Sequence, residues 1–80
     1  MNQNTKEKRL ILSVPIRAMS YLAKQMLVLG KYVTRKYQMD FDTEHGDIYC
    51  FCTEADEYFL NGYLFHCYLV FAEAEAEALK

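Results

Sequence analysis

The sequence has only three glycines and one proline, too few for a low-complexity or disordered chain. With 52% apolar residues, the composition is that of a globular domain. No apolar run of membrane-spanning length is present. The longest candidate, Phe59–Ala72, covers 14 residues and is interrupted by Asn61, Gly62 and His66. No secretory leader is recognisable, since Met1–Arg9 is polar and charged, with no apolar segment and small-residue cleavage site behind it. No lipidation motif and no internal repeat is visible. The expectation is one soluble cytoplasmic domain with no membrane contact.

The cysteines Cys50, Cys52 and Cys67 are odd in number and lack the Cys-x2-Cys spacing of a structural zinc site. They are expected to be reduced thiols. Adjacent strand positions would send His66 and Cys67 to opposite faces, so no metal set is assigned. A Cys–His–acid set can be written down from Cys50 or Cys67, His45 or His66, and Asp47. It needs a base in reach of a thiol made acidic by its surroundings. The surroundings here are acidic and would raise a thiol's pKa. Buried cysteines acting as small apolar residues and a partnered core His66 are the preferred reading. No catalytic residue, metal or cofactor is expected.

Charge is present in a marked order. Residues 1–37 carry Lys6, Lys8, Arg9, Arg17, Lys24, Lys31, Arg35 and Lys36 against Glu7 alone. Residues 38–80 carry Asp40, Asp42, Glu44, Asp47, Glu54, Asp56, Glu57, Glu73, Glu75 and Glu77 against Lys80. The net charge of −2 conceals a basic half followed by an acidic half.

Residues 1–8 read as a flexible tail, residues 9–71 as a single α+β domain, and residues 72–80 as an Ala/Glu helical tail. Leu10-Ile11-Leu12 with Val14 is a short buried strand. Ser13 and Pro15 signal a helix start, and the helix is expected over Pro15–Leu29 with Gly30 as its C-cap. Its packing face is Ile16, Met19, Ala23, Met26, Leu27 and Gly30, and Arg17, Lys24 and Lys31 form a basic stripe. Tyr32–Phe41 alternates as a half-buried strand, with Val33, Tyr37, Met39 and Phe41 on one side. Residues 42–47 have turn composition. Ile48–Cys52 is the return strand, with Ile48, Cys50 and Cys52 on one face and Tyr49 and Phe51 on the other.

Thr53-Glu54-Ala55-Asp56 approximates a capping box and starts a short helix, Glu54–Leu60, which Asn61-Gly62 ends. The same dipeptide also fits a two-residue hairpin turn. Tyr63–Phe71 reads as a central strand, although periodicity alone does not separate this from a buried helical segment. The resulting order, β-α-β-β-α-β with a short C-terminal helical tail, resembles the ferredoxin-like arrangement, which implies a four-stranded antiparallel sheet with helices on one face. Tyr49-Cys50-Phe51 resembles the alternating aromatics of the third strand in RNA-recognition domains, with Ile48 where glycine is usual and Ile11 where the first strand would offer an aromatic.

The functional expectation is a non-enzymatic protein-binding module. Asp40, Asp42, Glu44 and Asp47 of the hairpin, and Glu54, Asp56 and Glu57 of the short helix, would pair with cations of a basic protein surface. Tyr49 and Tyr58 would add contact area. In size and charge style, though in no motif, the chain resembles small anti-CRISPR and anti-restriction inhibitors, which implies a nucleic-acid-binding cleft as target and a nucleic-acid-mimicking acidic surface. The alternative is a nucleic-acid-binding module using Arg17, Lys24 and Lys31 with the N-terminal tail. A homodimer, basic helix face against acidic hairpin, would hide surplus apolar surface.

Overall fold

The computed structural model describes residues 5–30 and 36–79. Strand β1 spans Glu7–Pro15, a single 3-10 turn spans Ile16–Ala18, and helix α1 spans Met19–Gly30. Strands β2, Lys36–Phe41, and β3, His45–Cys52, form a hairpin. Helix α2 then runs without a break over Glu54–Ala78. The sheet is antiparallel with the order β1-β3-β2. β1 and β2 therefore run parallel to one another on either side of β3, joined through α1.

The four-stranded ferredoxin-like expectation is not met: among the described residues the order is β-α-β-β-α and the sheet has three strands. The missing strand is Tyr63–Phe71, which lies inside α2. Three causes favour the helix. Thr53 caps it, its hydroxyl accepting from the Asp56 backbone N–H at 3.2 Å. Glu54, Asp56 and Glu57 place negative charge in the first turn, where the helix dipole is positive. The Ala/Glu segment at the far end is made of strong helix formers, so propagation from either side carries the chain through Gly62. Asn61-Gly62 accordingly neither ends a helix at Leu60 nor makes a hairpin.

The hairpin follows the alternation except at Phe41, expected beside Tyr37 and Met39 but 71% exposed at the end of β2. Ile48, Cys50 and Cys52 are buried on the inner face of β3, while Tyr49 and Phe51 point to the other face. The connecting loop is shorter than the turn composition suggested, residues 42–44, because β3 already begins at His45. Tyr32, Val33, Thr34 and Arg35, expected in β2, lie outside the described residues, as do Lys31 and residues 1–4 of the N-terminal tail, while Glu7 and Lys8 of that expected tail pair in β1 with Cys52 and Phe51.

β1 contains a bulge. Leu10 faces Tyr49 and Leu12 faces Ile48, leaving Ile11 as an extra residue. Since side chains alternate with period two, the bulge switches the parity of the strand. Ile11, Leu12 and Val14 all reach the core side, and Arg9 lies on the same side nearer the strand's start.

The helix start expected at Pro15 moves. Pro15 is the last residue of β1, with no side-chain cap on the 3-10 turn. Ser13 stays in the sheet and donates to Asp47 Oδ1 at 2.6 Å instead of capping a helix. The 3-10 turn rotates the helix face, so the buried residues are Ala18, Met19, Leu22 and Met26, and Leu27 is 75% exposed.

Both helices pack on the inner face of the sheet around one core. Leu22, Ile48 and Leu64 are completely buried there, with Val14, Cys50 and Cys52 almost so. On α2 the core residues Leu60, Leu64 and Cys67, continued by half-buried Phe71, follow helical spacing. Phe71 meets Tyr21 of α1, ring centroids 5.5 Å apart. No helix among the described residues is long and apolar enough to cross a membrane.

Candidate functional site

Among the described residues nothing covers the outer face of the sheet or the outer flank of α2. The expected acidic site divides between them and the hairpin tip.

The outer sheet face is built of three cross-strand rows. Lys8, Phe51 and Lys36 are direct neighbours across β1, β3 and β2. The next row is Leu10, Tyr49 and Gln38, and beyond it come Ser13, Asp47 and Asp40. Cations therefore stand at one end of this face and carboxylates at the other. The Lys8 ammonium lies 4.6 Å from the centre of the Tyr49 ring, a cation–π contact. Asp40 accepts from Gln38 Nε2 at 3.0 Å, and Asp47 is held by Ser13.

At the hairpin tip, Asp42 is committed to the turn. Its Oδ1 accepts from the backbone N–H groups of His45, at 2.7 Å, and Glu44, at 2.8 Å. Those two bonds, His45's first, hold its carboxyl below the ordinary carboxylate pKa. The Glu44 carbonyl accepts from the Ile16 backbone N–H at 2.8 Å, which ties the tip to the end of β1.

Glu54, Asp56 and Glu57 lie at the other end of β3, just past Cys52. An eight-residue strand is about 26 Å long, so these acids and those of the hairpin tip are not one patch. Glu57 Oε1 accepts from Arg9 Nη1 at 3.3 Å, and Arg9 Nε also donates to the Cys52 carbonyl at 3.1 Å. Tyr58, 72% exposed, is on the outer flank of α2, away from Tyr49 on the sheet.

The basic stripe does not form as a unit. Arg17 sits in the 3-10 turn, and its Nε is 2.8 Å from both carboxylate oxygens of Glu75. That contact raises its pKa further. Lys24 is exposed on α1, and Lys31 lies outside the described residues.

The thiols and imidazoles are not brought together. Cys50, Cys52 and Cys67 are buried, while His45 and His66 are exposed. The expected core position of His66 is thus overturned, because the helical turn that buries Cys67 rotates His66 outward. Among the described residues no group of three or more His, Cys, Asp or Glu is placed to hold a metal ion.

Sequence reasoning missed the outer flank of α2. An amphipathic helix buries one stripe and wets the other, but α2 is apolar nearly all round over its middle. Opposite its core stripe, Glu54, Tyr58, Gly62, Phe65, Leu69 and Glu73 follow one another at four- and three-residue spacing. Tyr58, Phe65 and Leu69 are all exposed. The signal was present in the sequence as a second three-to-four periodicity across residues 54–73, hidden by reading residues 63–71 as a strand. No family model, curated protein or solved structure matches the chain.

Proposed function

We propose that this protein is a non-enzymatic binding module that docks on a basic protein surface through the outer flank of α2. The observation that carries the reading is the apolar strip Tyr58–Phe65–Leu69, closed by a carboxylate at each end, Glu54 and Glu73. Contiguous exposed apolar surface with a polar rim is characteristic of protein interfaces. The sign of the rim selects the partner. α2 carries no Lys or Arg in its 25 residues, so an antiparallel second copy of α2 would set Glu54 against Glu73. Cations at the rim of an apolar patch are the complement instead. Partners that handle nucleic acid present such surfaces in their binding clefts, and an inhibitor or accessory factor of such a complex fits the reading.

The hairpin acids take a smaller part than the sequence suggested. Asp42 is occupied by the turn and Asp47 by Ser13. Glu54 and Tyr58 remain in the docking surface, with Phe65, Leu69 and Glu73 added to them.

The test is affinity capture from a host lysate with three baits. A basic protein retained by the wild type and by a hairpin variant, Asp40→Lys with Glu44→Lys, but lost from Tyr58→Ser with Phe65→Ser, supports the reading. Capture unchanged by the α2 substitutions removes it.

A further inference from the structure

The cationic end of the outer sheet face carries a second, independent site. Phe51 stands on the central strand near its end, 49% exposed, with no helix covering it among the described residues. Lys8 and Lys36 flank it at the same level on the two neighbouring strands. Tyr49 lies two residues along the same strand and on the same face. A depression of about 370 Å³ opens here, lined by Lys8, Lys36, Gln38, Tyr49 and Phe51 among others. Neither lysine has a carboxylate partner among the described residues.

We infer that this depression binds a short stretch of single-stranded nucleic acid. The physical argument rests on spacing and charge. Successive outward residues on a strand lie about 7 Å apart, so Phe51 and Tyr49 offer two ring faces to two consecutive bases in an unstacked strand. Base–aromatic stacking tolerates any base, because every base has a π-face. Lys8 and Lys36 flank Phe51 on the two neighbouring strands, within a side chain's reach of the sugar–phosphate backbone of a strand stacked on the rings. Lys8 already lies on the Tyr49 ring, so a base arriving there moves the ammonium outward to a phosphate. Asp47 and Asp40 close the far end of the same face and would repel a strand that ran on. The site therefore takes about two nucleotides and excludes a duplex, whose bases are already stacked and whose rigid backbone does not fit a two-lysine gap. A protein strand is the competing occupant, but two cations with no carboxylate partner among the described residues, set beside the exposed Phe51 ring, match phosphates and bases better than they match peptide groups.

The site is separate from the α2 flank, so neither proposal depends on the other. The experiment is fluorescence anisotropy of the full chain with a fluorescein-labelled twelve-residue oligothymidylate at 20 to 200 mM salt, alongside the RNA counterpart and a duplex of equal length. The single strands are expected to bind, with a log–log salt slope of about −1.4 for two phosphates neutralised. Phe51→Leu keeps an apolar side chain and is expected to weaken binding about ten-fold by removing one stacking surface. Lys8→Gln is expected to reduce the slope by about 0.7. Amide NMR shifts on adding oligonucleotide should concentrate at Lys8, Lys36, Tyr49 and Phe51, a readout that does not depend on any variant folding. Equal affinity for the duplex, indifference to Phe51→Leu, shifts centred on α1, or no single-strand binding at 20 mM salt would each overturn the inference.

Discussion

The side-chain amide of Asn61 donates to the backbone carbonyl of Ile11 at 2.8 Å. Ile11 is the extra residue of the β1 bulge, and a bulge leaves one residue without its ladder partner. Asn61, fifty residues later and in the second turn of α2, satisfies that carbonyl. The same bond holds the helix at the point where Asn61 and Gly62 have the poorest helical propensity.

Asn61→Ala should therefore lower stability although alanine is the better helix former. The lost bond leaves a part-buried carbonyl unsatisfied, a cost of about 1–3 kcal/mol, against about 0.5 kcal/mol gained in propensity. Urea unfolding followed by circular dichroism decides the sign. A variant as stable as the wild type or more so would show that the bond contributes nothing.

Gly62→Ala should act in opposite directions on stability and binding. A Cβ at Gly62 meets nothing within 4 Å, and glycine in a helix costs roughly 0.5–1 kcal/mol relative to alanine. The isolated protein should gain about that much. The added methyl projects into the proposed docking strip between Tyr58 and Phe65, so partner capture should fall. A gain in stability with capture unchanged would place the partner elsewhere.

Gly46→Ala should destabilise. Gly46 is buried at the start of β3, and a Cβ built there would lie inside the Met19 side chain. Met19 caps the core from the first turn of α1 and is itself buried. The atoms met are side-chain atoms of a flexible methionine, which can turn aside in part, so the cost should fall at the low end of the about 1–3 kcal/mol typical of overpacking. The double variant with Met19→Ala should lose less stability than the sum of the two single losses, and non-additivity in a double-mutant cycle is the measurement.

Asp42 sets an acid limit on the hairpin tip. Its pKa is lowered by the His45 and Glu44 backbone N–H groups from the ordinary 3.8. The ionised form is favoured by folding, so its contribution is in place above 3.8 and is lost as pH falls through the lowered value. The carboxyl carbon of Asp42, followed by NMR, should titrate with a midpoint below 3.8, and the amide signals of Glu44 and His45 should move with it. A midpoint at or above 3.8 would mean that those bonds do not persist in solution.

Local signals accounted for the hairpin and the capped start of α2. Alternation in Tyr37, Met39, Ile48, Cys50 and Cys52 sorted inner from outer residues because a strand between two unlike environments has only one good register. Thr53 marked the helix start because its hydroxyl acts on residues three positions away. The bulge at Ile11 carried no such mark, since Leu10, Ile11 and Leu12 are equally apolar. Pro15 and Ser13 gave a helix-start signal that β1 overrode: pairing with Asp47 gave Ser13 a better partner than a helix terminus would.

The sequence by itself determined the segregation of charge, the outward placement of Tyr49 and Phe51, and the cap at Thr53, all of which depend on residues close in the chain. Tertiary structure decided that Tyr63–Phe71 is helical. An unbroken apolar run suits a buried strand and a buried helix equally; the local cap and the Ala/Glu segment favour the helix, and packing of Leu60, Leu64 and Cys67 on the sheet, with the bond from Asn61 to a carbonyl fifty residues away, holds it there. Tertiary structure also divided the acidic half between the two ends of β3, because a strand about 26 Å long separates groups that are neighbours in composition.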